Sequence, residues 1–219
     1  MKFTNIIRTL CLGAALSSTA LFANTVKMTD TPYDGGLSGG EFKAAITNGP
    51  TFYTFCLEYH IGISLPYTYN YTIDTRAFAG GVDNHDLPGN PAGDPLSKGT
   101  AYLYEQFFKG TLVGSTGSGN YNDNRSYNAG LLQQAIWTLE DEKSFAGTNY
   151  YLNLVKGIFG NTGAFETVGA DSKVKVMNLW GIKDRKDIQS MLIYVPDSGM
   201  TAVLLGLGLL SLAAVRRKL

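Results

Sequence analysis

Apolar and polar residues alternate with a period of two near both ends of the chain and recur with a helical period between them. Residues 42–47 and 52–59 flank Asn48-Gly49-Pro50, a turn signal, and predict two paired strands. In the second, Tyr53, Phe55, Leu57 and Tyr59 fall on one face and Phe52, Thr54, Cys56 and Glu58 on the other. Residues 67–73, 173–180 and 189–195 predict further strands. Asp94-Pro95-Leu96-Ser97 reads as a helix start with Ser97 as cap. Residues 98–109 then carry Ala101, Tyr104, Phe107 and Phe108 at helical spacing before Gly110 stops them. Residues 34–40 and 114–124 lack apolar periodicity and read as loops.

The pattern is most informative over residues 128–143. Leu131, Leu132, Ala135, Ile136 and Leu139 form one aliphatic stripe, which predicts a helix with that stripe toward the core. Gln133 and Trp137 are four apart and stack one turn above the other beside it. A tryptophan there calls for cover from another part of the domain, and Gln133 lies beneath the same cover. On pattern alone, Gln133 and its neighbour Gln134 are both polar positions of an amphipathic helix.

The termini bound this domain. Lys2 and Arg8 precede a short apolar stretch, residues 10–23, that ends in small residues and reads as a signal peptide cut near Ala23. Cys11 is discarded with it. At the other end Val195-Pro196-Asp197-Ser198-Gly199 precedes an uncharged run over residues 200–215, followed by Arg216, Arg217 and Lys218. As a helix that run covers roughly 24 Å at about 1.5 Å per residue, short of a bilayer core of ~30 Å. The basic cluster would stay cytoplasmic, leaving everything before it outside. Residues 24–194 remain as one extracellular domain.

That domain is rich in Gly, Tyr, Asn and Thr, and the whole chain of 219 residues balances 18 basic against 18 acidic residues. With no basic stripe to neutralise phosphates, a nucleic-acid partner is not expected. Asp83, Asp86, Asp94 and the run Asn122-Asp123-Asn124 have no metal-ligand spacing, and no cofactor is implied. After export Cys56 is the one cysteine left. An odd cysteine in an exported chain is either a free reactive thiol or is bonded to something other than sulfur.

Two resemblances sharpen this picture. The tail, with its motif, thin apolar helix and basic end in that order, resembles the VPDSG-CTERM variant of the PEP-CTERM signals of Gram-negative bacteria that make extracellular polysaccharide. That resemblance implies cleavage near the motif by an exosortase-type enzyme, a transient inner-membrane anchor, and a final place at the cell surface or in the extracellular matrix. Phe55-Cys56-Leu57-Glu58 and Leu132-Gln133-Gln134-Ala135-Ile136-Trp137 resemble the Cys…TQxAIW pairing of bacterial thioester domains, found in surface adhesins. Gly39-Gly40-Glu41-Phe42, Asp94-Pro95-Leu96-Ser97, Gly99-Thr100-Ala101-Tyr102-Leu103-Tyr104 and Gly110-Thr111-Leu112 resemble segments of the thioester-type proteins that carry PEP-CTERM tails and extend the likeness over most of the mature chain. It implies an α+β, mostly β domain, a sandwich or barrel with an inserted helical segment. It also implies a bond from the Cys56 thiol to the Gln133 acyl group, with Trp137 covering the site. Leu132 stands where the family has Thr, and Gln133 rather than Gln134 occupies the family's position.

The chemistry of such a site is capture. A carboxamide is a poor electrophile, so a thiol displaces ammonia from it only when the fold holds the two together at high effective molarity. The product is an activated acyl group for an amine or hydroxyl, such as a surface polysaccharide or protein nucleophile, and is used once rather than turned over. Two other functions compete with it. A cysteine hydrolase would need a histidine base, but His60 lies about 13 Å along a strand at ~3.3 Å per residue, and His85 sits in the loop Asp83-Asn84-His85-Asp86. A non-covalent matrix or carbohydrate-binding module is suggested by the tyrosines, although aromatics at strand spacing are usually core.

Overall fold

The computed structural model describes residues 24–33, 39–78, 93–116, 119–183 and 187–196. The leader, the loop carrying His85, and Asp197, Ser198, Gly199 with the apolar run behind them lie outside the described residues. The first strands are β1 (Thr25–Thr29), β2 (Phe42–Ile46), β3 (Thr51–Thr54) and β4 (Tyr67–Asp74). Two-residue strands β5 (Arg76–Ala77) and β6 (Asp94–Pro95) follow. Helices α1 (Lys98–Phe108), α2 (Arg125–Leu139) and α3 (Tyr150–Phe159) come next, then β7 (Val174–Trp180) and β8 (Asp187–Tyr194).

Six strands form one antiparallel sheet in the order β3-β2-β1-β4-β7-β8, while β5 and β6 pair separately. The β2–β3 hairpin forms at the expected turn, where Asn48 takes a left-handed φ of 58°, a conformation asparagine tolerates better than most residues. Beyond Thr54 the chain leaves β2 and joins the opposite edge of the sheet. Leu57 N–H donates to Ser190 O at 2.9 Å, Leu192 N–H donates to Phe55 O at 3.2 Å, and Cys56 bridges Met191. The sheet thus curls into a half-barrel whose two edge strands meet at a seam beside Cys56.

Two apolar clusters follow from the period-two alternation. The inner one takes residues from every strand of the sheet, among them Met28, Ala44, Phe52, Tyr69, Met177 and Met191. The outer one packs the helices over Val174, Val176 and Leu192, together with Phe55 and Leu57. Helix α2 belongs to both. Leu132, Ala135, Ile136 and Leu139 fill the outer cluster as the pattern requires, while Trp137 lies in the inner one. Helix α1 crosses α2 closely at Gly99, where a Cβ would come within 2.8 Å of Leu139 Cδ2 and 2.9 Å of Ala164 O.

Several expected boundaries are corrected. The strand expected over 52–59 is regular only to Thr54, because its continuation changes partner strand. Tyr59 consequently packs with Cys56 and Trp137 rather than with Phe55 and Leu57. The helix expected over 128–143 begins at Arg125, since a capping box at Asn120 starts a 3-10 turn, Tyr121–Asn124, that runs straight into it. It stops at Leu139 because Asp141 adopts a φ of 57°, and Glu142 N–H and Lys143 N–H both turn back to Trp137 O. Residues 114–124 are accordingly not all loop, and Asp94 and Pro95, expected in the helix entry, form β6, while Ser97 caps α1 as expected.

Leu132 has no exposed surface and sits at the centre of the outer cluster. Leu132→Ala is expected to cost about 2–5 kcal/mol. Urea unfolding should show a lower midpoint at an unchanged slope.

Candidate functional site

The seam leaves one residue's backbone without a strand partner. Phe55 and Leu57 spend their hydrogen bonds on β8, so by antiparallel alternation the N–H and C=O of Cys56 point the other way. There β2 has already ended, its last pair being Phe42 opposite Thr54. The Gln133 side chain takes the place of the missing strand: Cys56 N–H donates to Gln133 Oε1 at 3.0 Å, and Gln133 Nε2 donates to Cys56 O at 2.8 Å. Gln133 is fully buried and Cys56 is 6% exposed. Gln134 is half-buried on another side of the helix; the Thr138 hydroxyl donates to its backbone carbonyl. Of the two glutamines, Gln133 is the one brought to Cys56.

Trp137 is covered, as its position demanded. A Cβ on Gly39 would fall 2.4 Å from Trp137 Cη2 and 2.9 Å from Gln133 Cγ, so the backbone at 39 lies directly on both side chains. The Phe145 ring stacks on Trp137 at 6.0 Å and Tyr59 meets it edge-on at 5.0 Å. The Gly39 segment is pinned by Glu41, which is buried and takes hydrogen bonds from Arg125 Nε at 2.9 Å, Arg125 Nη2 at 2.6 Å and the Tyr121 hydroxyl at 2.8 Å. Arg125 opens α2 and lies over the rings of Tyr33 at 4.3 Å and Tyr53 at 4.6 Å.

The electrostatics are those of a closed site. Burial, and then the Glu58 carboxylate, push the Cys56 thiol far up from its ordinary range. Burial also lifts Glu58 to about 8, against the lowering effect of its Ser190 hydrogen bonds and with Glu142 raising it further. Glu58 Oε2 accepts from Ser190 N–H at 2.6 Å. Among the described residues the buried side-chain polar atoms without a partner are Glu58 Oε1, Trp137 Nε1 and Gln189 Oε1. Gln189 itself donates to the Glu58 carbonyl, and Glu58 stands two residues from Cys56 as Trp137 stands one turn from Gln133.

Strand alternation places Glu58 on the Cys56 face without assigning it a role, and no local pattern pairs Glu41 with Arg125, 84 residues apart. Of the other candidates, His60 is exposed, Asn122, Asp123 and Asn124 are exposed, and no group of three His, Cys, Asp or Glu among the described residues could hold a metal ion. Burial lifts Asp94 to about 6.

Comparison with known proteins identifies the tail. Residues 194–219 match the VPDSG-CTERM motif. No curated protein and no solved structure matches the chain. The motif implies processing by an exosortase-type enzyme and an exported, cell-surface-associated protein. No helix among the described residues is long and apolar enough to cross a membrane; the apolar run of the tail lies outside them.

The buried carboxyls give a pH signature. Glu58 rises from 4.5 to about 8 and Glu140, buried against Ser97 and Thr100, from 4.5 to about 7. The folded state therefore binds more protons than the unfolded chain across this interval, and stability falls as pH rises. Their contribution is complete below the unfolded pKa of 4.5 and is lost as pH passes about 7 and then about 8. Thermal unfolding followed by circular dichroism should show a midpoint that declines over this window, and Glu140→Gln should flatten the decline.

Proposed function

We propose that Cys56 and Gln133 form an internal thioester and that this exported domain uses it to capture an amine- or hydroxyl-bearing surface target covalently, as an adhesin would. The observation that carries this reading is the pair of hydrogen bonds between the Gln133 carboxamide and the Cys56 backbone. Such a seat fixes the electrophilic carbon beside the residue that bears the thiol, which is how effective molarity replaces collision. A side chain leaves a strand perpendicular to its hydrogen-bonding plane, so on this reading sulfur adds to one face of the carboxamide that the backbone bonds hold. The Cys56 N–H on Oε1 stands where negative charge develops as sulfur adds, an oxyanion-hole arrangement. Gly39, Trp137, Tyr59 and Phe145 keep water from the product.

The half-barrel with its helical segment is read, on this proposal, as a thioester-type domain. Single use also fits the site better than turnover. A hydrolase needs an activated thiolate, whereas burial raises this thiol, and His60 stands exposed rather than beside it. After export, the tail would release the domain or transfer it to the surface, where the acyl group meets matrix polymers and neighbouring cells.

The purified domain should weigh one ammonia less than its sequence by intact mass, and methylamine should add at Gln133 while freeing one thiol. Cys56→Ala should restore the unmodified mass and abolish denaturant-resistant adducts while the domain stays folded, and Gln133→Ala should do the same at a lower unfolding midpoint, since it leaves the buried Cys56 N–H and C=O unpaired. A full sequence mass in the native domain, with a thiol that titrates completely, would overturn the reading. Adducts that wash off equally from all three proteins would point instead to a non-covalent matrix module.

Protein from the native host should lack residues 200–219, and replacing Pro196 and Asp197 should leave a longer, membrane-retained form. Recovery of the intact basic C-terminus from the cell surface would show a permanent anchor instead.

A further inference from the structure

A thiol that burial keeps protonated cannot attack an amide unaided, and the nitrogen of a carboxamide does not leave without an added proton. Both needs point to one group that first takes a proton and then returns it. Glu58 stands two residues beyond Cys56 in the same seam segment, is 3% exposed, and holds only one of its oxygens in a hydrogen bond, Oε2 to Ser190 N–H. Its Oε1 is buried and has no partner, an arrangement that costs stability and calls for a reason. Its charge acts directly on the Cys56 thiol. The titratable groups facing it are Cys56 on its own segment and Glu142 from the turn after α2; its β8 neighbours Gln189 and Ser190 are neutral.

We infer that Glu58 is the proton-transfer residue of thioester formation, moving the thiol proton of Cys56 to the departing nitrogen of Gln133; this rests on the thioester reading above. In the ionised state the Glu58 carboxylate takes the proton from Sγ, and sulfur adds to Gln133 Cδ with Oε1 held by the Cys56 N–H. The Cδ–Nε2 bond then breaks as the Glu58 carboxyl returns its proton to Nε2. Ammonia leaves, the Sγ–Cδ bond remains, and the carboxylate is regenerated. No oxidant, reductant or metal is required. The pKa of Glu58, lifted by burial to about 8, makes its carboxylate a stronger base than an exposed one while leaving its acid able to protonate an amine.

The test follows closure of the site. Concentrated ammonium opens a thioester back to the Gln133 carboxamide and the Cys56 thiol; after desalting, re-closure is read by intact mass as the loss of one ammonia. Wild-type closure should quicken as pH rises and level off above about 8. Glu58→Gln, which keeps the side chain's shape and can still accept from Ser190 N–H, should close at least ~100-fold more slowly at an unchanged circular dichroism spectrum. Closure of the variant at the wild-type rate would overturn the role of Glu58 and leave the thioester standing. A wild-type domain that never loses ammonia would instead end the thioester reading itself. Should the variant fail to fold, the wild-type profile decides: levelling supports the shuttle, and a rate rising about tenfold per pH unit without levelling overturns it.

Discussion

A single side chain, Gln133, stands in for a strand where the curled sheet meets the helices. The curled sheet closes only if the residues after β3 abandon β2 for β8, and that exchange strands the backbone groups of Cys56 on the side facing the helices. Buried backbone donors and acceptors must be paired, so an element from the helical layer has to supply both a donor and an acceptor at strand spacing. Gln133 does so with its two carboxamide groups. The position of α2 follows, since its aliphatic stripe must fill the outer cluster while Gln133 reaches across the seam and Trp137 enters the inner cluster.

The cover depends on the same helix. Arg125, at its first turn, forks onto the buried Glu41, and its guanidinium lies over two tyrosine rings. A buried ion pair gains little net stability over apolar packing, yet losing one partner is severe because the other charge is left alone. Its value here is positional: it fixes the chain leaving Gly39, where no larger residue fits over Trp137. Helix α2 thus carries the covered group and, through Arg125, anchors the cover.

Much of this was legible in the residue pattern, and the failures have physical causes. The stripe from Leu131 to Leu139 specified the inward face of α2, and the i, i+4 placement of Gln133 and Trp137 foretold a shared cover. Local spacing could not say that the β3 segment changes partner after Thr54, because that depends on how the whole sheet curls. Tyr59 was therefore put on the wrong face. Strand β1 escaped notice because only Val26 and Met28 mark it, too short an alternation to stand out beside the leader. Gln133 and Gln134 were equivalent by polarity, and only the crossing of helix and seam separates a buried residue from a half-buried one. The Glu41–Arg125 pair spans 84 residues, a separation at which no pattern of neighbours carries information.

Packing and hydrogen bonding are satisfied across most of the fold, and the exceptions cluster. Among the described residues the unpartnered buried side-chain atoms belong to Glu58, two residues from Cys56, to Trp137, one turn from Gln133, and to Gln189, which donates to the Glu58 carbonyl, and burial favours the neutral forms of the Cys56 thiol and the Glu58 carboxyl. A domain selected for stability alone would do better with apolar residues at these positions. Unsatisfied groups concentrated at one seam are what a site built for chemistry leaves behind. The same enclosure that raises the thiol also keeps water away, which is the condition the proposed thioester needs in order to persist outside the cell. The match to the sorting motif begins at Tyr194, the last residue of β8, so the processed tail follows directly on the strand that receives the Cys56 segment.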